Sequence, residues 1–177
     1  MSREDSFWGN IFGKQAAPEE RGRAALRKTP VFKDLSDRDL TVIERMLHRR
    51  QYDVGEIIFY QGDSGVGMYI IDDGEVEIVH EPSGEVLAIL FAGDFFGEIA
   101  LLNELPRSAT ARAKTRCGLL FFSQADLYKL LELNPQAGSK ISLRLAKIIG
   151  KRLTSANEKI GELRQRLNEV EGEAGKP

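Results

Sequence analysis

Nine of the 17 glycines, at positions 55, 62, 65, 67, 74, 84, 93, 97 and 118, fall within the 64 residues from Gly55 to Gly118. Between them lie short runs rich in Ile, Val, Phe and Tyr, bounded by Gly-Asp or Asp-Gly pairs. Runs this short, with turn signals roughly every 8 to 12 residues, read as an antiparallel sandwich or barrel. The pattern predicts strands near 48–53, 56–60, 67–72, 75–80, 86–91, 108–115 and 118–122. Asp73-Gly74 signals a tight hairpin and Pro82-Ser83-Gly84 a longer turn.

The flanks follow a different rule. Residues 1–30 are polar, with Pro18 and Pro30 as stops and a helix predicted from about 19 to 28. Ser36-Asp-Arg-Asp39 caps a second helix to about 47, with Leu40, Ile43, Met46 and Leu47 on one face. Ser123 caps a short helix that stops at Asn134-Pro135. From Ser139 to Val170 there is no Pro, and a long helix is expected. The organisation is thus an N-terminal extension (1–30), a β-rich domain with flanking helices (31–135), a C-terminal helix (136–171) and a disordered tail (172–177).

Composition narrows the function classes. With 25 Lys+Arg against 27 Asp+Glu, the formal charge of −2 provides no general pull toward nucleic acid or anionic membrane. The longest apolar run, Val86 to Ala92, is seven residues, far short of the roughly 20 that span a bilayer. The N-terminus lacks the apolar stretch of a secretory leader, so a cytoplasmic protein is expected. A lone Cys117 excludes an internal disulfide, and His48 and His80 are too far apart in sequence to suggest a metal site. No metal or cofactor is expected. The same scarcity of histidine argues against an enzyme of the cupin type on this barrel.

Chemistry is concentrated in Gly93-Asp-Phe-Phe-Gly-Glu-Ile-Ala-Leu-Leu-Asn-Glu-Leu-Pro-Arg-Ser-Ala-Thr110. Gly97 precedes Glu98, which opens a short apolar helical turn from Ile99 to Leu102. A helix start after Gly offers backbone N–H groups to an anion. A loop through Pro106 then delivers Arg107, whose planar fork of donors matches phosphate oxygens. Glu98 would repel a bare phosphate but would accept from a vicinal hydroxyl. A carboxylate and a guanidinium converging on one pocket therefore suggest a sugar-phosphate.

This run resembles the phosphate-binding cassette of cyclic nucleotide-binding domains, the family of catabolite activator protein, protein kinase A regulatory subunits and cyclic-nucleotide-gated channels. The match runs through Phe-Gly-Glu-x-Ala-Leu, a Pro before the Arg, and Arg-x-Ala-Thr without a gap. Gly55-Glu-Ile-Ile-Phe-Tyr-Gln-Gly62, Met68-Tyr-Ile-Ile-Asp-Asp-Gly74 and Gly93-Asp94 extend it, so that it covers roughly residues 30–165. The resemblance implies a mainly β, α+β fold: an eight-stranded antiparallel β-roll, or jelly-roll barrel, with N-terminal helices and a long C-terminal helix. It implies that Glu98 accepts the ribose 2′-OH and that Arg107 holds the cyclic phosphate. The backbone of Gly97, Ala100 and Ser108 would complete the cradle, with Ile99 and Ala109 beside it. Ser108 leans the expected ligand to cAMP, with cGMP as the second choice. In the long helix, Ala156 and Asn157 stand where that family places adjacent Thr and Ser against the base. Asn157 is the candidate base contact, with a solvated helix position as its alternative.

The long helix carries apolar residues at Ile149, Leu153, Ala156, Ile160, Leu163, Leu167 and Val170. Their alternating steps of four and three form a heptad seam, which points to a homodimer. The segment around Ser155 to Ile160 is expected to cover the base. Phe7, Trp8, Ile11 and Phe12 form a compact apolar face that would dock a partner, lie on a membrane surface or pack on its own domain. The sequence contains no helix-turn-helix, kinase, channel or cyclase pattern. The expected function is a non-enzymatic cyclic-nucleotide sensor that signals to a partner protein. The alternative is an interaction scaffold of the same fold that binds a cyclic dinucleotide or no nucleotide. No sequence-specific DNA binding is expected with or without nucleotide, and a salt-resistant, sequence-dependent gel shift would count against this reading.

Overall fold

The computed structural model describes residues 18–174. The Phe7, Trp8, Ile11 and Phe12 face lies outside the described residues. Helix α1 (Pro18–Lys28) is followed by a 3-10 turn (Pro30–Phe32) and α2 (Asp37–Glu44). Five strands come next: β1 (His48–Tyr52), β2 (Ile57–Phe59), β3 (Gly67–Asp73), β4 (Glu75–His80) and β5 (Glu85–Phe91). Then come β6 (Phe95–Phe96), α3 (Ile99–Leu102), β7 (Thr110–Ala113), β8 (Cys117–Ser123), α4 (Gln124–Leu133) and α5 (Pro135–Ala174).

The strands form two antiparallel sheets of four, ordered β1-β8-β3-β6 and β2-β7-β4-β5, and the barrel is not closed. Seven of the eight strands match the runs read between the glycines. The eighth, β6, is two residues long, too short for any alternating pattern to register. Pairing of β3 with β8 sets Ile70 against Leu120 and Ile71 against Leu119. Because successive side chains leave a strand on opposite faces, these two strands serve two cores. Ile71, Cys117 and Leu119 meet Val76, Ala111 and Ala113 between the sheets. Met68, Ile70, Leu120 and Phe122 turn outward and are covered by Leu26, Phe32, Ile43, Leu127, Leu130 and Ile141 of the helical layer. Phe32 and Phe122 meet edge to face at 6.2 Å. Pro30, read as a stop, opens the 3-10 turn that delivers Val31 and Phe32 into that layer.

Local chemistry sets the helix ends. Ser36 with Asp39, and Ser123 with Asp126, form reciprocal capping boxes at the starts of α2 and α4. The Ser36 hydroxyl, foremost, holds the Asp39 carboxyl below its usual value. Helix α2 ends at Glu44 rather than near 47, because the chain tightens there, with Met46 N–H donating to Ile43, and turns into β1. Asn134 ends α4 and also starts α5, its side-chain oxygen accepting from the Ala137 N–H at 3.2 Å. Pro135 then sits at the first helical position, where its missing N–H costs nothing. Helix α5 therefore begins at Pro135, one residue before the expected span of 136–171. It continues through residues 172–174, which were expected to be disordered, and residues 175–177 lie outside the described part.

Cys117 is fully buried between the sheets, and burial pushes its thiol from an ordinary 9.0 to about 11. Between those values the unfolded chain has lost a proton that the folded chain retains, so stability falls as pH rises. Urea denaturation from pH 9 to 11 should show this decline, and Cys117→Ala should flatten it.

Candidate functional site

The cassette sits where the two sheets exchange the chain. Strand β6 ends the first sheet, Gly97 turns the backbone with φ +71°, and Glu98 enters the four-residue helix α3. The loop that follows hands Arg107 to the start of β7 in the second sheet. Its backbone is pinned on both sides: the Arg107 N–H donates to Asp63 and its carbonyl accepts from Gly62, each at 2.9 Å. The result is a pocket of about 340 Å³. Gly97, Glu98, Ile99, Ala100, Arg107, Ser108 and Ala109 all line it, with Phe59, Ile78, Ala88 and Leu90 as the apolar wall.

Arg107 is only 8% exposed. One Nη donates to the Gly97 carbonyl at 2.9 Å, and the guanidinium carbon lies 4.2 Å from the centre of the Phe59 ring. That ring belongs to an aromatic group with Tyr69 and Phe96, in which Tyr69 stacks on Phe96 at 5.4 Å. Burial draws the Arg107 guanidinium down from its ordinary pKa, with Tyr69, Asp63 and Glu98 opposing. Among the described residues no carboxylate comes within 4.0 Å of it. A buried cation without an ion pair is costly, and an anion entering the pocket would relieve that cost.

Glu98 and Arg107 are not ion-paired with each other. Glu98, its side chain 7% exposed, pairs instead with Arg152 of α5, whose Nη1 donates to Oε1 at 2.6 Å. Arg152 also lines the pocket, its guanidinium carbon 5.1 Å from the Phe95 ring centre. Asn157 is exposed and does not line the pocket within this chain. The contact between α5 and the pocket is one turn earlier than the expected segment from Ser155 to Ile160. Thr110, next in the motif, is buried and its hydroxyl accepts from the Gln61 N–H at 2.9 Å. It fastens β7 and does not face the pocket.

Three contributors were not read from the sequence. Arg152 lies 54 residues from Glu98 on a helix with many charges, and nothing local marks it. Phe59 belongs to an ordinary strand. Gly65 was counted as a turn residue, yet a Cβ there would collide with Ala100 and come within 2.9 Å of the Arg107 guanidinium. That close approach to the cassette leaves no room for a Cβ at this position.

The family model of the cyclic nucleotide-binding domain matches residues 49–134. The chain carries a cyclic nucleotide-binding domain. It is 39% identical over 116 residues to a putative potassium channel protein of Rhodopseudomonas palustris, covering 65% of this chain and 28% of that one. It is 39% identical over 106 residues to the cAMP-dependent protein kinase regulatory subunit of Schizosaccharomyces pombe, covering 60% and 26%. The chain thus spans about a quarter of the length of these curated relatives. Among solved structures, the catabolite activator protein of Thermus thermophilus superposes with a TM-score of 0.69 at 32% identity, covering 77% of this chain and 63% of that one. The two-sheet architecture is that of the cyclic nucleotide-binding fold. No helix of the described residues is long and apolar enough to cross a membrane.

Gly97 is where backbone and side-chain geometry meet. A Cβ there would collide with the Arg107 Nη1, and its φ of +71° is one that other L-residues adopt at a cost. Gly97→Ala should therefore lower stability by about 1–2 kcal/mol, read by denaturant titration, chiefly through backbone strain.

Proposed function

We propose that this protein is a cAMP-responsive regulatory module, non-enzymatic, whose occupancy passes through its helices to a partner protein. One observation carries the reading: Arg107 is a buried guanidinium with no carboxylate partner among the described residues, in a largely apolar pocket that Glu98 and Arg152 also line. A cyclic phosphate would supply the missing anion to Arg107, with the amides of Ala100 and Ser108 and the turn at Gly97 beside it. Glu98 would accept the ribose 2′-hydroxyl. The pocket, about 340 Å³, is at the small end for ligand sites and suits one nucleotide better than a cyclic dinucleotide. cAMP is favoured over cGMP because the kinase regulatory subunit among the relatives is named for cAMP and because Ser108 lines the pocket.

The output reading rests on α5. Leu153, Ile160, Leu163, Leu167 and Val170 are exposed large apolar residues on it, spaced at the predicted heptad positions with Ile149 and Ala156. A second copy of the helix would cover that stripe, and residues 136–171 would serve as the dimerising and transmitting element. In such a dimer Asn157, solvated here, would lie beside the seam.

Isothermal titration with cAMP, cGMP and a cyclic dinucleotide tests the ligand. Arg107→Leu should lose about 2–5 kcal/mol of cAMP binding while circular dichroism shows the fold retained. Undiminished binding by that variant would remove Arg107 from the phosphate role. Glu98→Ala should weaken cAMP and narrow its advantage over 2′-deoxy-cAMP; an unchanged advantage would clear Glu98 of the ribose.

A further inference from the structure

Glu98 and Arg107 are buried, opposite in charge and part of one pocket lining, yet they do not pair. The charges of Asp63 and Glu98 both act on the Arg107 guanidinium. A desolvated cation is drawn to a nearby carboxylate unless other contacts fix it. One such contact is the hydrogen bond to the Gly97 carbonyl at 2.9 Å, but a single bond leaves the guanidinium plane free to turn about it. The second is the ring of Phe59, whose centre lies 4.2 Å from the guanidinium carbon. That is well inside the range of about 6 Å in which an aromatic face attracts a cation, and the attraction strengthens away from water.

The ring is itself built into place. Phe59 ends the three-residue strand β2, and the register of β2 against β7 shifts between Ile57 and Phe59. An irregularity of this kind re-aims a side chain, and Ile58 and Phe59 both pack on the core between the sheets. From the facing sheet, the Tyr69 and Phe96 rings approach that of Phe59 at 5.9 and 5.8 Å between centres. Ile57 and Ile58 show that β2 accepts aliphatic residues. What position 59 adds to the pocket wall is an aromatic face.

We propose that Phe59 is a positioning residue for ligand binding: its ring face holds the Arg107 guanidinium in the empty pocket, apart from Glu98, so that its remaining donors are already set for an anion. The inference rests on the reading that Arg107 receives the phosphate. Without the ring, the guanidinium would swing between the Gly97 carbonyl, Glu98 and Asp63, and a ligand would have to order it first. Ordering a long side chain during binding weakens affinity.

The test varies the ring in the full chain and reads cAMP affinity by isothermal titration. Phe59→Leu keeps an apolar wall without an aromatic face and should bind cAMP ~3- to 10-fold more weakly. Phenylalanines with one, two and three ring fluorines at position 59 keep the shape nearly constant and withdraw charge from the ring face in steps. Affinity should fall in the same steps, as it would not if the ring only filled space. Without ligand, the Arg107 Nε–Hε group should be as rigid by NMR relaxation as the backbone of β7, and Phe59→Leu should make it mobile. Affinity indifferent to fluorination would overturn the inference, as would an Arg107 side chain equally rigid in Phe59→Leu. If Phe59→Leu does not fold, the fluorinated series decides. Absence of cAMP binding by the unaltered chain would remove the functional reading and this role with it, a result distinct from normal binding that ring chemistry leaves unchanged.

Discussion

The hydrogen bond from Arg107 to the carbonyl of Gly97 is the constraint on which the site depends. It ties the end of the sheet that contains β6 to the entrance of the sheet that contains β7, across a loop whose helix is only four residues long. To form it, residue 97 must take a positive φ with no Cβ in the guanidinium's place, and residue 65 must leave room behind. The Phe59 ring then closes the other side of the guanidinium. Four separate features of the sequence, two glycines, an aromatic and an arginine, are thus consequences of seating one cation.

Seating it has an energetic cost. Among the described residues the Arg107 guanidinium has one side-chain hydrogen bond, a ring contact and the more distant charges of Asp63 and Glu98 to offset its lost hydration. The two cores on either face of β3 and β8 are what make that tolerable. Each is built from fully buried aliphatic and aromatic side chains, whose burial is the main favourable term in a fold of this size. Stability is thus concentrated in the shared strands, and the uncompensated charge is at the margin, where a ligand can reach it.

What could be read in the sequence follows from distance along the chain. The strands of the roll were legible because the turn glycines and the alternation of Ile, Val and Phe are local signals. The cassette from Gly97 to Ala109 was legible because its residues meet within one loop. Strand β6 was missed because two residues carry no period. The contact that α5 makes with the pocket was not legible for a different reason. Asn157 is five positions beyond Arg152, about 7.5 Å farther along a helix. Register against a sheet fixed by other contacts decides which of them reaches the pocket, and nothing in the local pattern of α5 reports that register. The apolar spacing on α5 was visible in sequence because it repeats; the single polar contact was not, because it occurs once.

Helix α5 is 40 residues long, and at 1.5 Å per residue it is a rod of about 60 Å. Its first turns are clamped by buried Ala137, Ile141 and Leu145, while the portion from Gly150 through Val170 is exposed over about 30 Å. Such a rod is a mechanical amplifier. With its fulcrum near the last buried turn, a tilt of about 10° at the base would carry the far end through about 6 Å, more than the rise of one helical turn. An event on the scale of one hydrogen bond at the pocket thereby becomes a displacement on the scale of a binding interface.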